Sequence, residues 1–120
     1  MKSPLTVVIV DDHRTFRRSA RKLLELGGFD VVGEAGDGAS GAALVRELEP
    51  DLVLLDVALP DTSGFAVAEE LAGGASSVVL VSSRDPADFG GLIAKSPALG
   101  FIRKEQLSTA AIRALLGEAA

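Results

Sequence analysis

The chain has 120 residues, 48% of them apolar, with no Cys and a formal net charge of −5. That is one globular domain, long enough to bury roughly two-thirds of its unfolded surface. Disulfides and thiolate metal sites are excluded, the acidic balance argues against direct nucleic-acid binding, and no apolar run is long enough to span a bilayer as a helix.

From the N-terminus, the first apolar run is Leu5–Val10, ended abruptly by Asp11 and Asp12. It is too short for the core of a secretory signal, so a soluble, cytoplasmic protein is expected. A helical period follows from Arg14 to Leu26, with Phe16, Ala20, Leu23 and Leu24 on one side and Gly27–Gly28 as a C-terminal cap. His13 reads as a helix-start residue. Arg14, Arg17, Arg18 and Arg21 recur at helical spacing; such a stripe is either a solvated face or a docking face for an acidic partner.

Val31–Ala35 is a second strand, leaving through "AGDG", where Asp37 reads as a turn residue. A helix over Ala39–Leu48 stops before Pro50. The third strand, Leu52–Leu55, ends at Asp56 and is followed by a helix over Gly64–Leu71 that stops at Gly73–Gly74. The fourth, Val78–Val81, ends at Ser82–Ser83. The spacing then predicts a helix over Pro86–Ala94, with Asp85 as N-cap and Pro86 at its first position. Gly90–Gly91 weakens that helix by about 1 kcal/mol each relative to Ala, which would suit a two-state element or simply close packing. Phe101–Ile102 with its flanks is the fifth strand, ending at Lys104, and Thr109–Leu116 is the last helix, capped by Ser108.

"DLVLLD" and "SVVLVS" are apolar on consecutive residues, which suits parallel strands covered on both faces. Five β–α units in alternation imply an open parallel sheet with helices on both faces. In such sheets, sites form at the carboxyl ends of strands. Those ends carry Asp11, Asp12, Asp56, Ser82 and Lys104. Each alone is unremarkable, since Asp and Ser commonly cap turns and Lys is commonly solvated. Together, three carboxylates and one ammonium leave a charge of about −2, which favours a hard divalent cation, most naturally Mg²⁺. Mn²⁺ would also fit.

Over essentially its full length, 1–120, the chain resembles a response-regulator receiver domain of two-component signalling. The resemblance rests on "VVIVDDH" with Asp11–Asp12, on "DLVLLDVALPDTSG" with Asp56, Pro60 and Gly64, on "VVLVSS" with Ser82, and on "GFIRK" with Phe101 and Lys104. It implies a flavodoxin-like (βα)5 fold with strand order 2-1-3-4-5. It further implies that Asp56 takes a phosphoryl group from a sensor histidine kinase. Mg²⁺ would be held by Asp11, Asp12, Asp56 and the Ala58 carbonyl, with Asp12 the more direct ligand of the adjacent pair. Lys104 and Ser82 would contact the phosphoryl oxygens, and Ser83 beside them is small enough to leave access. The switch would run through Ser82 and Phe101, an aromatic without the hydroxyl of a Tyr. Ala58 and Arg84 stand where the family tunes the lifetime of the phosphoryl group.

Glu105 after Lys104, where many receivers have Pro, and the "DDH" opening resemble receivers joined to helix-turn-helix DNA-binding domains. A homodimer formed on phosphorylation is compatible with that. Whether the chain stands alone or is part of a longer regulator is open at this point, as is a receiver-like interaction module that works without phosphorylation.

Other enzyme classes fit less well. A haloacid-dehalogenase-type phosphatase needs a second Asp two residues after its nucleophile, where this chain has Ala58. A flavodoxin needs a Ser/Thr/Gly-rich first loop in place of "DDHR", and no P-loop motif is present.

Overall fold

The computed structural model describes residues 3–117, so both ends of the expected 1–120 domain lie outside the described residues. The elements are β1 (Thr6–Val10), α1 (Arg14–Leu26), β2 (Asp30–Ala35), α2 (Gly38–Leu48), β3 (Leu52–Asp56), α3 (Gly64–Leu71), β4 (Ser77–Ser82), α4 (Leu92–Lys95), β5 (Gly100–Arg103) and α5 (Thr109–Leu115). Short 3₁₀ turns occupy Pro86–Phe89 and Lys104–Gln106. All strand pairs are parallel, in the order β2-β1-β3-β4-β5.

The consecutive apolar runs are explained by burial on both faces. All five residues of β3 are buried. Because successive side chains alternate, Val7 and Ile9 join Ala20, Leu24 and Ile112 beneath α1 and α5. Val8 and Val10 join Ala42, Val45, Val67 and Ala68 beneath α2 and α3. The sheet therefore divides two cores, and its central strands β1, β3 and β4 carry charge only at their ends.

Helix ends follow the expected chemistry. Asp37, Ser63 and Ser108 each accept a main-chain N–H two or three residues inside their helices. The α1 helix closes through Gly28, at φ 92°.

The expected continuous helix over Pro86–Ala94 does not form. Asp85 does cap Pro86–Phe89, accepting from the Ala87 N–H at 2.9 Å. The segment then breaks at Gly90, whose φ 58° and ψ −127° belong to glycine alone, and four helical residues resume at Leu92. Neither piece buries a residue fully. Of this segment's apolar residues only Phe89 packs against a core, so propensity decides locally, and Gly90–Gly91 is where it fails.

Candidate functional site

The adjacent strands β1 and β3 bring their carboxyl ends together, pairing Val10 with Leu55. Asp11 and Asp56 come directly after, 0% and 3% exposed. The Asp11 N–H continues the ladder to the Ala35 carbonyl at 3.0 Å. Past Asp56 the chain makes a closed turn: Gly64 N–H donates to the Val57 carbonyl at 2.7 Å, Leu59 N–H to the Thr62 carbonyl at 3.2 Å, and Ala58 bridges Ser63. A side chain at Gly64 would collide with the Asp56 carbonyl, so glycine lets α3 start against the end of β3. Asp61 ties the same turn to α2 by accepting from Gly38 and Ala39, at 2.8 and 3.0 Å. Those two amides hold its carboxyl below the usual range.

Lys104 reaches in from the end of β5. Its Nζ lies 2.7 Å from Asp11 Oδ2 and 3.5 Å from Asp56 Oδ2, with its charge 4.4 Å from the centre of the Phe16 ring. One ammonium thus serves two buried carboxylates. Asp11 Oδ2 nonetheless lacks a partner in hydrogen-bonding geometry. Burial pushes the Asp56 carboxyl up to about 6, and the Asp11 charge adds to this; Lys104 and a 3.4 Å contact with the Ala58 N–H oppose it.

His13, the start of α1, does more than begin a helix. Its N–H donates to Asp11 Oδ1 at 2.8 Å, and its Nδ1 lies 3.1 Å from Asp11 Oδ1 and 3.2 Å from Asp12 Oδ1. The adjacent acids are therefore met within the protein by His13 and Lys104. Sequence spacing gave no sign of the His13 contact, because it arises from the turn of the chain after Asp11.

One donor atom each from Asp11, Asp12, His13 and Asp56 lies within 4.8 Å of the others. A carboxylate-rich, oxygen-dominated set with two of its carboxylates buried fits a hard dication better than a soft metal.

On the far side, Ser82 is buried at the end of β4, and its Oγ accepts from the Arg84 N–H at 3.0 Å, which leaves the hydroxyl proton free to be donated elsewhere. Leu80 pairs with Phe101, so alternation puts Ser82 and Phe101 toward the α2/α3 face. Phe101 is half-buried against Phe89, with ring centres 5.7 Å apart, and Phe89 meets Phe65 at 5.6 Å. Arg84 sits over the Phe89 ring and near Asp88, turned toward the 3₁₀ segment. Ser83 is exposed. The expected site residues thus lie toward the carboxyl ends of the strands, while Asp37, expected as a turn residue, caps α2 outside the cluster. The basic stripe splits: Arg17 and Arg21 turn inward to Glu34, and Arg14 and Arg18 stay exposed.

Residues 7–116 match the family model for the response regulator receiver domain. The chain belongs to that family. The receiver is also similar to a two-component response regulator of the LuxR family from Aurantimonas, with a TM-score of 0.84 and 28% identity, over 98% of this chain and 89% of that one. A CheY-like receiver domain from Methylobacillus flagellatus shares the fold, with a TM-score of 0.82 at 24% identity over 96% and 98% of the two chains. Among sequences, a Pseudomonas aeruginosa relative is 36% identical over 102 residues, 83% of this chain and 49% of that protein. The nitrate/nitrite response regulator NarP of Escherichia coli is 50% identical over 62 residues, 51% of this chain and 29% of NarP. The receiver thus spans about half the length, or less, of these sequence relatives. Among the described residues, no helix is long and apolar enough to cross a membrane.

Proposed function

We propose that this receiver is switched by phosphorylation of Asp56, with a sensor histidine kinase as donor. The observation that carries the reading is the pair of buried carboxylates, Asp11 and Asp56, sharing the single ammonium of Lys104. Burying two acids together is costly, and a phosphoryl-transfer site is a reason to bear that cost.

The Asp56 carboxylate attacks phosphorus, the phosphorus–nitrogen bond of the phosphohistidine breaks, and its electron pair stays on the imidazole. Such transfer needs alignment and charge stabilisation more than covalent help. Asp11, Asp12, Asp56 and the Ala58 carbonyl would hold Mg²⁺, which supplies positive charge to the transferring oxygens. Lys104 releases Asp56 and takes a phosphoryl oxygen as a point charge. Ser82 turns its free O–H toward another, and Phe101 follows into the space left behind, loosening its contact with Phe89. The broken segment Pro86–Lys95 is the element free to respond. Ala58 offers no polar side chain to position an attacking water, so the phosphoryl group is expected to persist for minutes or longer.

The full regulator is proposed to act in the cytoplasm, pairing this receiver with a transcriptional output and dimerising on phosphorylation. The test is incubation with acetyl phosphate or beryllofluoride and Mg²⁺, for wild type and Asp56→Asn, followed by intact mass and Mg²⁺ titration. One phosphoryl group on wild type and none on Asp56→Asn is expected. A gain that persists in Asp56→Asn overturns the acceptor assignment, and the absence of both modification and metal binding favours an interaction module that works without phosphorylation.

A further inference from the structure

Arg17 lies near the start of α1, on a stripe whose residues would be solvated if they merely kept the helix soluble. Only 18% of its side chain is exposed. Its Nη1 donates to the main-chain carbonyl of Asp11 at 2.5 Å, and its Nε donates to Glu34 Oε1 at 3.2 Å. The other Glu34 oxygen accepts from Arg21 Nη1 at 2.5 Å, and Arg21 Nη2 donates to the Val31 carbonyl at 3.1 Å. A charge-assisted chain therefore runs from β2 through Glu34 and Arg17 to the end of β1.

What it grips is the peptide that joins the two acids. The Asp11 carbonyl and the Asp12 N–H share one rigid plane, so holding that oxygen sets the direction in which Asp12 leaves the strand. Asp12 has little else to hold it: among the described residues its carboxylate meets only the His13 ring, at 3.2 Å. The Asp11 side chain, by contrast, is fixed by His13 N–H and Lys104.

We propose that Arg17, aimed by Glu34, is a positioning residue that orients the Asp11–Asp12 peptide for divalent-cation binding. The inference rests on the metal-dependent function proposed above, and it opposes simple electrostatics in sign. Removing a cation beside an acidic cluster should, by charge alone, tighten Mg²⁺ binding. Losing an outer contact that orients ligands typically weakens it by 10–100-fold.

The test is calorimetric titration of the protein with Mg²⁺ at fixed ionic strength, alongside thermal melting in EDTA. Arg17→Ala is expected to bind Mg²⁺ about tenfold more weakly, and Arg17→Lys, which cannot bridge Glu34 and the Asp11 carbonyl together, should recover part of the loss. Arg18→Ala, one residue on and exposed, measures the charge effect alone and should bind at least as tightly as wild type. Glu34→Gln leaves Arg17 in place without the carboxylate that aims it; it should weaken binding more than Glu25→Gln, which removes the same charge from an acid paired with Arg21 and not with Arg17, and that difference carries the readout if Arg17→Ala melts too low to titrate. Arg17→Ala and Glu34→Gln binding as tightly as wild type, or Arg18→Ala losing as much as Arg17→Ala, overturns the positioning role. Failure of the wild type itself to bind Mg²⁺ overturns the proposed function, and the inference with it.

Discussion

The two sides of the sheet are built to different tolerances. On the β1–β3 side, strands are buried on both faces, the β3–α3 turn is closed by main-chain hydrogen bonds, and the start of α3 leaves no room for a side chain at Gly64 beside the Asp56 carbonyl. On the β4–β5 side, β4 leads into a 3₁₀ turn, a glycine break and four helical residues, and neither helical piece buries a residue fully. Both sides contribute to one site. The tight side fixes the carboxylates, where a small displacement would spoil the metal and phosphoryl geometry proposed above. The loose side holds Ser82 and the aromatic contact of Phe101 with Phe89, which must shift if a signal is to leave the site. Rigidity and slack are thus assigned to different strands.

The same kind of substitution should therefore give different results on the two sides. Gly64→Ala drives a methyl into backbone, and a loss of about 3 kcal/mol is expected in chemical denaturation. Lys104→Met leaves Asp11 and Asp56 facing each other without a cation. Because Lys104 is partly exposed, the cost should be about 2–3 kcal/mol, below that of a fully buried pair, with part of it recovered in Mg²⁺. Phosphoryl acceptance from acetyl phosphate should fall about 10²-fold, as for loss of one charge-stabilising donor.

Asp56→Asn, measured in EDTA, should behave oppositely. The Asp56 carboxyl titrates at about 6 in the native protein, against 3.8 ordinarily, so its contribution is fully present below pH 3.8 and is lost as pH rises through 6. The variant should gain about 1–2 kcal/mol over wild type at pH 7.5 and nothing near pH 3.5. An equal gain at both pH values would contradict the burial of an ionised Asp56. Smallest of all, Gly91→Ala lies at φ −88° with its added methyl in ordinary contact with Lys95, and it should fall within about 0.5 kcal/mol of wild type. A Gly91→Ala loss as large as that of Gly64→Ala would erase the contrast between the two sides.

That contrast also divides what could be read from the sequence. On the tight side, "VVIVDD" and "DLVLLD" announce themselves, because double-faced burial demands unbroken apolar runs and the chain must shed its charges at the strand ends. Asp11, Asp12 and Asp56 were legible for that reason, whereas Lys104 follows the short, partly exposed β5 and was read only from its place after Phe101–Ile102. The break at Gly90 was half-legible: the glycines marked a weak helix, but whether packing would rescue it depended on tertiary contacts, and the core contact of Phe89 alone does not. The contacts of His13 and Arg17 were not legible. Each depends on where a side chain lands across the fold, against the Asp11 carboxylate or the Asp11 carbonyl, and periodicity along α1 carries no trace of that.

The central claim is that the fixed side of the sheet presents Asp56 for phosphoryl transfer. Its most direct measurement is the intact mass of wild type and Asp56→Asn after acetyl phosphate treatment, with Mg²⁺ and with EDTA. A single phosphoryl group is expected on wild type in Mg²⁺ alone, with none on the variant. Equal labelling of the two proteins, or labelling that ignores EDTA, would contradict it.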